Sequence, residues 1–272
     1  RLSMMSRLRP LLGAATLLFA AACAVVPGTP PTRLCDVCAR PDEFLDRLAA
    51  QEATLRTVRG LASVRYEGAA GAGAVAQVIV VALPDQLRLE ALSPLGTAVF
   101  LLTIRGGDLR AYSPVRNEYA AGHATRETLA RLTRVAVPPA PLLRLLAGLP
   151  PLRIKAEDPR LQVAGGIGGI MVESVDGPFW QRLWSSADGL ALERGELGDA
   201  GGPLLSFEFG DRRQAGVAMF PFAIRLEDTT GKSRLSIRYE TVALNLPVED
   251  DLFELPRPAA GQSKIIELTP GP

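Results

Sequence analysis

Residues 86–107, QLRLEALSPLGTAVFLLTIRGG, contain the clearest structural signal in the chain. Apolar residues occupy every second position from Leu87 to Ala91, and this period of two predicts a strand with one buried face. Residues 97–104 are almost wholly apolar and predict a second strand. Only residues 93–96 separate the two, so we expect a hairpin with a tight turn.

The turn of this hairpin is Ser93-Pro94-Leu95-Gly96. Pro94 presets its φ angle and Gly96 accepts a positive φ, two properties that favour a tight turn. A turn faces water, yet its central side chain is leucine. Two interpretations remain open. Leu95 either folds back onto its own hairpin, since lone exposed leucines are ordinary, or forms a small apolar finger that contacts lipid or a hydrophobic partner.

The period of two recurs along most of the chain, which predicts a mainly β fold with few helices. Strands are predicted at residues 61–67, 73–83, 86–92, 97–105, 108–112, 117–120, 162–164, 169–174, 179–185, 190–196, 204–209, 220–227 and 233–246. Helices are predicted at residues 41–58, 126–133 and 140–147. So many short strands indicate an antiparallel meander that curls. Residues 75–83 are apolar on nearly both faces, so both faces of that strand are expected to be covered at least in part.

The N-terminus resembles an export signal. Arg1, Arg7 and Arg9 precede an apolar run of 12 residues, 11–22, which is too short to span a bilayer and suits the core of a signal peptide. Residues 19–23, FAAAC, resemble a bacterial lipobox, which predicts a signal peptide at residues 1–22 and a diacylated Cys23. The alternative is an ordinary cleavable signal with an incidental cysteine.

The residues that follow Cys23 predict a tether to a membrane. Ala24 stands where lipoproteins retained in the inner membrane often carry Asp, and this resemblance favours the outer membrane, with the domain facing the periplasm. Residues 23–40 are rich in proline and glycine and predict a flexible tether. Cys35 and Cys38 lie within it, and a small-loop disulfide is the main interpretation in an oxidising compartment. Zinc binding and redox catalysis are disfavoured by the lack of further ligands and of a βαβ pattern.

Charge and motif content argue against nucleic-acid binding and against catalysis. Removing residues 1–22 leaves 27 basic and 29 acidic residues, a net charge of 27 − 29 = −2, without a basic stripe. The single histidine, His123, is either a general base or, more commonly, a cap or surface residue. Residues 165–169, GGIGG, lead into a β pattern and predict a hairpin loop, not a dinucleotide site. The acidic cluster at residues 249–251 is interpreted as a solvated turn or a helix start, not an acid/base pair. We therefore expect a binding or transport protein, not an enzyme, without metal or cofactor.

Three motifs in a fixed order resemble the LolB family of outer-membrane lipoprotein receptors. They are the Pro94-Leu95-Gly96 turn after a strand, Tyr119 before a small helix, and the stretch from Val137-Pro138 to Gly148-Leu149-Pro150. The ending at residues 251–256, DLFELP, also resembles tails in the wider LolA/LolB-like superfamily.

This resemblance implies an incomplete antiparallel barrel covered by a small helical lid, with a cavity for the acyl chains of lipoproteins. The chain shows no repeat or second domain boundary, so we expect one such domain at residues 41–256, and the proline- and glycine-rich residues 257–272 predict a loose tail apart from residues 264–268. The resemblance also implies that Leu95 is an exposed leucine that aids transfer into the membrane, and that the partner is a LolA-like periplasmic carrier. The cavity candidates, chosen from the apolar faces of strands and lid, are Val78, Val80, Leu89, Phe100, Leu102, Leu142, Leu145 and Leu146.

The chain also departs from the family pattern. The Cys35/Cys38 pair and the longer C-terminal half suggest a LolB-like branch with a different cargo. Two further functions therefore stay open: a periplasmic lipid- or glycolipid-binding lipoprotein on the same fold, and a structural envelope lipoprotein with a filled core.

Overall fold

The computed structural model describes residues 41–68, 71–133, 136–155, 157–158, 160–166, 169–229, 233–259 and 261–269. The predicted signal peptide, Cys23 and the Cys35/Cys38 pair lie outside the described residues. The three helices are α1 (Pro41–Thr54), α2 (Arg126–Thr133) and α3 (Pro139–Leu146). The strands are β1 (Thr57–Gly68), β2 (Gly71–Ala82), β3 (Gln86–Leu92), β4 (Ala98–Arg105), β5 (Asp108–Ser113), β6 (Glu118–His123), β7 (Gln162–Gly166), β8 (Gly169–Asp176), β9 (Phe179–Ser185), β10 (Leu192–Asp199), β11 (Gly202–Ala215), β12 (Ala218–Asp228), β13 (Arg234–Leu244) and β14 (Lys264–Leu268).

All of these strands belong to one sheet, in the order β14-β6-β5-β4-β3-β2-β1-β13-β12-β11-β10-β9-β8-β7. Within the described part of the chain, β14 and β7 are its two edges, so the curled sheet is not closed into a barrel. The helices cover one of its faces, which we call the lid face. This confirms the predicted fold class. The strands β1 and β13 pair antiparallel over ten residue pairs and join the two halves of the chain at the centre of the sheet.

Consecutive hairpins place alternate turns at the same end of the sheet. The rim is the end of the sheet that holds the last residues of β1, β3, β5 and β12 and the first residues of β2, β4, β6 and β13. The β2–β3, β4–β5 and β11–β12 turns lie at the opposite end. Of the predicted hairpin loop at residues 165–169, the described residues belong to the paired strands β7 and β8, where Gly166 pairs with Gly169.

The first helix is shorter than the sequence predicted. It ends at Thr54 instead of residue 58, because Asn245 from the far end of β13 bonds to both sides of the break. The Asn245 side chain donates to the Thr54 carbonyl (3.0 Å) and accepts from the Arg56 amide (2.8 Å). The β-branched residues Thr57 and Val58 then begin β1.

One strand pair, formed by the part of the C-terminal tail that was not expected to be loose, is not antiparallel. Residues 264–268 form β14, which runs parallel to β6 after a long connection from β13. Gly122 makes room for it, because a Cβ at this position would lie 2.3 Å from the Leu268 carbonyl oxygen. Leu268 is buried against the core. The described sheet is therefore antiparallel except at this edge.

The segment before β14 covers part of the face opposite the lid. Phe253, from a 3-10 turn at Asp250–Phe253, is buried against Val80 and Ala82. Arg88 donates to the Leu252 carbonyl oxygen (2.7 Å) and fixes this turn on the sheet. The apolar run of β2 therefore has both faces covered, as its sequence indicated.

Candidate functional site

The candidate site is a cavity of about 350 Å³ between the lid face of the sheet and the helices. Strands β1, β2, β3, β4 and β13 form its floor and walls, and α2 and α3 form its roof. Its lining residues are Val64, Tyr66, Gly73, Ala74, Val75, Gln77, Ile79, Leu89, Ala91, Phe100, Leu132, Thr133, Leu142, Leu146, Leu235 and Ile237. Among these described residues none is charged, so the cavity suits an uncharged, apolar ligand.

The volume matches one hydrocarbon chain. A cavity of about 150 Å³ holds benzene, six carbons, and stays dry when its walls are apolar. By that scale, a volume of about 350 Å³ accommodates roughly 14 carbons. The tail of one fatty acyl chain therefore fits, and a second chain does not.

The mouth of the cavity lies at the rim. Gly73 and Ala74 of β2 are exposed and line the cavity, and Tyr66 of β1 and Leu235 of β13 stand beside them in register. Deeper residues such as Ile79 and Ile237 are buried. An acyl chain that enters at the rim would therefore contact lining residues that are less and less exposed to solvent.

A buried hydrogen bond holds α3 over the sheet. The Tyr239 hydroxyl of β13 donates to the carbonyl oxygen of Leu146 (3.0 Å). Burial raises the pKa of this phenol, which therefore stays protonated and remains a donor. Gly60 of β1 allows the ring to lie close, because a Cβ there would approach the Tyr239 ring to 2.7 Å. The end of α3 that lines the cavity is thus fixed to the central strands.

An ion pair joins α3 to α1. Arg144 donates from both terminal nitrogens to the Glu52 carboxylate (3.0 Å each) and from Nε to the Pro150 carbonyl oxygen (2.7 Å). Arg153 also contacts Glu52 at 3.0 Å. Burial opposes ionisation of Glu52, but the hydrogen bonds and charge of Arg144 and then the charge of Arg153 outweigh it, so the pKa of Glu52 is lowered. The ion pair therefore ties α3 to α1.

The structure places four of the eight predicted cavity residues around the cavity: Leu89, Phe100, Leu142 and Leu146. Leu102 and Leu145 are fully buried in the surrounding core and do not line it. Val78 and Val80 lie on the face opposite the lid, so their assignment to the cavity is corrected. Val78 lines an outer groove of about 380 Å³, and Val80 packs under Phe253.

The prediction missed all of the lining residues from β1, β2 and β13. In β2 the odd-numbered residues Val75, Gln77 and Ile79 face the cavity. The alternation in β13 already indicated that Leu235 and Ile237 share a face. Leu235 and Ile237 reach the cavity because β13 pairs with β1. These strands are far apart in the sequence, so no local pattern predicts their pairing.

The Pro94-Leu95-Gly96 turn lies at the rim and exposes its leucine side chain to solvent. Gly96 donates to the Ser93 carbonyl oxygen (2.9 Å) and has φ 79°. The Ser93 hydroxyl accepts from the amides of Leu95 (3.2 Å) and Thr97 (3.3 Å). The turn thus satisfies its own polar groups, and the Leu95 side chain remains 92% exposed. The fold-back interpretation of Leu95 is therefore wrong.

Other sequence candidates lie away from the cavity. His123 ends β6 on the surface, with its Nδ1 3.7 Å from the Asp108 carboxylate. In the acidic cluster, Asp250 pairs with Arg105 (3.3 Å). No group of three or more His, Cys, Asp or Glu residues in the described ranges is arranged to hold a metal ion. Among the described helices none is long and apolar enough to cross a membrane.

A larger cleft, of about 500 Å³, lies under the opposite end of the lid. Its lining includes the charged residues Glu52, Arg56, Arg144, Arg153 and Asp176. An acyl chain in this cleft would remove water from charged groups, a cost that the uncharged cavity does not impose. The smaller, uncharged cavity is therefore the better candidate for an apolar ligand.

No protein-family model and no curated protein matches the sequence. Solved structures do resemble it. A DUF1329 family protein from Desulfovibrio piger matches with a TM-score of 0.54 at 12% identity, over 78% of this chain and 96% of that chain. A LolA superfamily protein from Nitrosomonas europaea matches with a TM-score of 0.50 at 13% identity, over 80% of this chain and 98% of that chain. The chain therefore has the LolA/LolB-like fold that its motifs predicted.

Proposed function

We propose that this protein is an envelope lipoprotein that binds the acyl chain of a lipid or lipoprotein in the cavity and inserts lipoproteins into the outer membrane. The observation that carries the proposal is an uncharged cavity of about 350 Å³ beneath a helical lid. Burying one methylene group contributes about 0.8 kcal/mol. Roughly 14 buried carbons would thus contribute about 11 kcal/mol before the loss of ligand freedom is subtracted. That is enough to hold an acyl chain reversibly.

Transfer in this proposal needs no covalent step, no cofactor and no ATP. The acyl chain leaves a LolA-like carrier for a cavity of similar polarity and better fit, and then leaves this cavity for the bilayer. Because the mouth of the cavity and the Leu95 turn both lie at the rim, the chain would exit beside the residue that touches the membrane. A diacylated Cys23 would keep the domain at the membrane surface.

The direct test of ligand binding is mass spectrometry of what co-purifies with the chain from residue 23 onward carrying Cys23→Ala, which lacks its own acyl anchor. Lipoproteins or their acylated N-terminal peptides would support the proposed transport role. Phospholipids or glycolipids alone would favour the second candidate, a lipid carrier on the same fold. Recovery of an empty protein that also fails to bind added palmitate would refute both.

The Leu95 turn is tested by Leu95→Glu in cells and by lipoprotein incorporation into membranes. Because the Leu95 side chain packs on nothing and the turn is held by Ser93, the variant is expected to fold normally by circular dichroism. Incorporation is expected to fall severalfold. The matched control is Val217→Glu, since Val217 is fully exposed in the β11–β12 turn at the opposite end of the sheet. Equal incorporation by both variants would refute the finger role.

The third candidate, a structural lipoprotein with a filled core, is disfavoured by the open cavity. A filled core would leave no lining for a ligand of this length. The choice between lipoprotein and lipid cargo rests on the co-purification experiment.

A further inference from the structure

A second hairpin turn at the rim also exposes an aliphatic side chain. Val115, in the β5–β6 turn, is 76% exposed, and it stands next to the Leu95 turn because β4 pairs with β5. The Ser113 hydroxyl at the start of this turn donates to the Val99 carbonyl oxygen of β4 (3.5 Å). Neighbouring strands lie about 4.8 Å apart, so the two hairpins are roughly 10 Å apart across the sheet. Both turns therefore lie at the rim, where the mouth of the cavity opens.

The C-terminal tail braces the Val115 turn. Asn117 adopts a positive φ of 51°. Its side-chain amide donates to the Gln262 carbonyl oxygen (2.7 Å) and accepts from the Ser263 hydroxyl (2.8 Å). The amide of Lys264 donates to the Asn117 carbonyl oxygen (3.0 Å). Two chain segments, 145 residues apart, thus hold Val115 in an exposed position that needs little further ordering on binding.

The same bracing gathers positive charge beside Val115. Arg116 and Lys264 are both exposed and both contact the single carboxylate of Glu118, at 3.5 Å and 3.0 Å. The hydrogen bond from Lys264 is the main reason that the pKa of Glu118 is lowered, so its charge persists at neutral pH. Two cations and one anion leave one net positive charge. The neighbouring turn, residues 93–97, contains no charged residue.

We propose that Val115, Arg116 and Lys264 form a second lipid contact, which together with Leu95 docks the cavity mouth on an anionic bilayer surface. An aliphatic tip flanked by cations suits the interface, because the side chain enters the acyl boundary while the cations attract lipid phosphates. Two contacts on hairpins roughly 10 Å apart across the sheet define the orientation of the rim, which one leucine cannot do. This inference rests on the proposed function, in that it places the bound acyl chain against the membrane that receives it.

The test is co-sedimentation with vesicles of phosphatidylethanolamine and phosphatidylglycerol, using the Cys23→Ala chain without its predicted signal peptide. Val115→Ser is expected to lower the partition coefficient about tenfold, because it removes the equivalent of nearly two methyl groups from the interface. Val217→Ser, an equally conservative change in the turn at the opposite end, is the matched control and is expected to have no effect. If the two variants bind alike, whether both normally or both weakly, the second contact is refuted.

The cationic part is tested with Arg116→Gln combined with Lys264→Gln. On the anionic vesicles we expect the partition coefficient of the double variant to fall by about fivefold or more for each of its two charges. On phosphatidylcholine vesicles we expect no change in the partition coefficient. An equal loss on both vesicle types, or no loss on either, would contradict the electrostatic contact.

Palmitate binding separates this inference from the proposed function. All of these variants are expected to bind palmitate as the parent chain does, since none of the substituted residues lines the cavity. If the parent chain binds palmitate while Val115→Ser retains full vesicle binding, only the docking inference fails. If the parent chain does not bind palmitate, the proposed function fails whatever the vesicles show.

Discussion

Filling the cavity from one wall is expected to shorten the acyl chain that the protein can bind. Ala91 lies on β3, lines the cavity and pairs with Phe100 of β4, so the substitution Ala91→Phe places a benzene-sized ring inside. Such a ring needs about 150 Å³, which leaves about 200 Å³, or roughly eight carbons, of the original space. Displacing six carbons at about 0.8 kcal/mol each weakens binding by up to about 5 kcal/mol. For palmitate this corresponds to an affinity loss of up to about 3,000-fold.

The assay is a displacement titration with palmitate and with octanoate. Octanoate still fits the reduced volume, so its affinity is expected to change by less than about threefold. Val78→Phe is the matched control, because Val78 belongs to the neighbouring strand β2 but faces the outer groove. Equal losses for palmitate and octanoate in Ala91→Phe, or a palmitate loss in Val78→Phe, would refute the assignment of the cavity.

Three further predictions concern the attachment of the lid to the sheet. Tyr239→Phe removes the hydrogen bond to Leu146 and should lower the free energy of unfolding by about 1–2 kcal/mol, a fall in Tm of about 2–8 °C by calorimetry. Gly60→Ala should be destabilising too, because its Cβ would lie 2.7 Å from the Tyr239 ring; unchanged Tm would contradict the close approach. The ion pair of Glu52 with Arg144 should weaken in acid. Because the folded-state pKa of Glu52 is lowered, its stabilisation is present above the usual value of 4.5 and is lost as pH falls through the folded pKa. Glu52→Gln should remove that part of the pH dependence in urea titrations between pH 6 and pH 3, and an unaltered profile would contradict it.

Much of the sheet could be read from local patterns. Alternation in residues 86–92 and the Pro94–Gly96 pair predict the β3–β4 hairpin, and the structure has it with only small shifts at its ends. The same logic identifies α2 and α3 from helical spacing between proline and glycine breaks. These features depend on backbone preferences within a few residues, so local sequence is sufficient for them.

The cavity itself could be predicted only in part. Where a strand alternates cleanly, as at Leu87 and Leu89, the buried face is evident. In β2, Val78, Ile79, Val80 and Val81 are all apolar, so alternation defines two faces but does not say which one meets the lid.

Long-range pairing resolved those ambiguities. The C-terminal segment with Phe253 covers one face of β2, which leaves the face with Ile79 for the cavity, and the tail adds β14 beside β6. Asn245 ends the first helix from nearly 200 residues away, where the local pattern would have continued it. Residues 86–107 were thus sufficient for a hairpin with a leucine at its turn, because strand period and turn chemistry act over neighbouring residues, whereas the exposure of that leucine came from the structure. The cavity beneath the lid depends on the pairing of strands that are distant in the chain. It forms only in the tertiary structure, because burial depends on the folded surroundings of a residue and not on its local sequence.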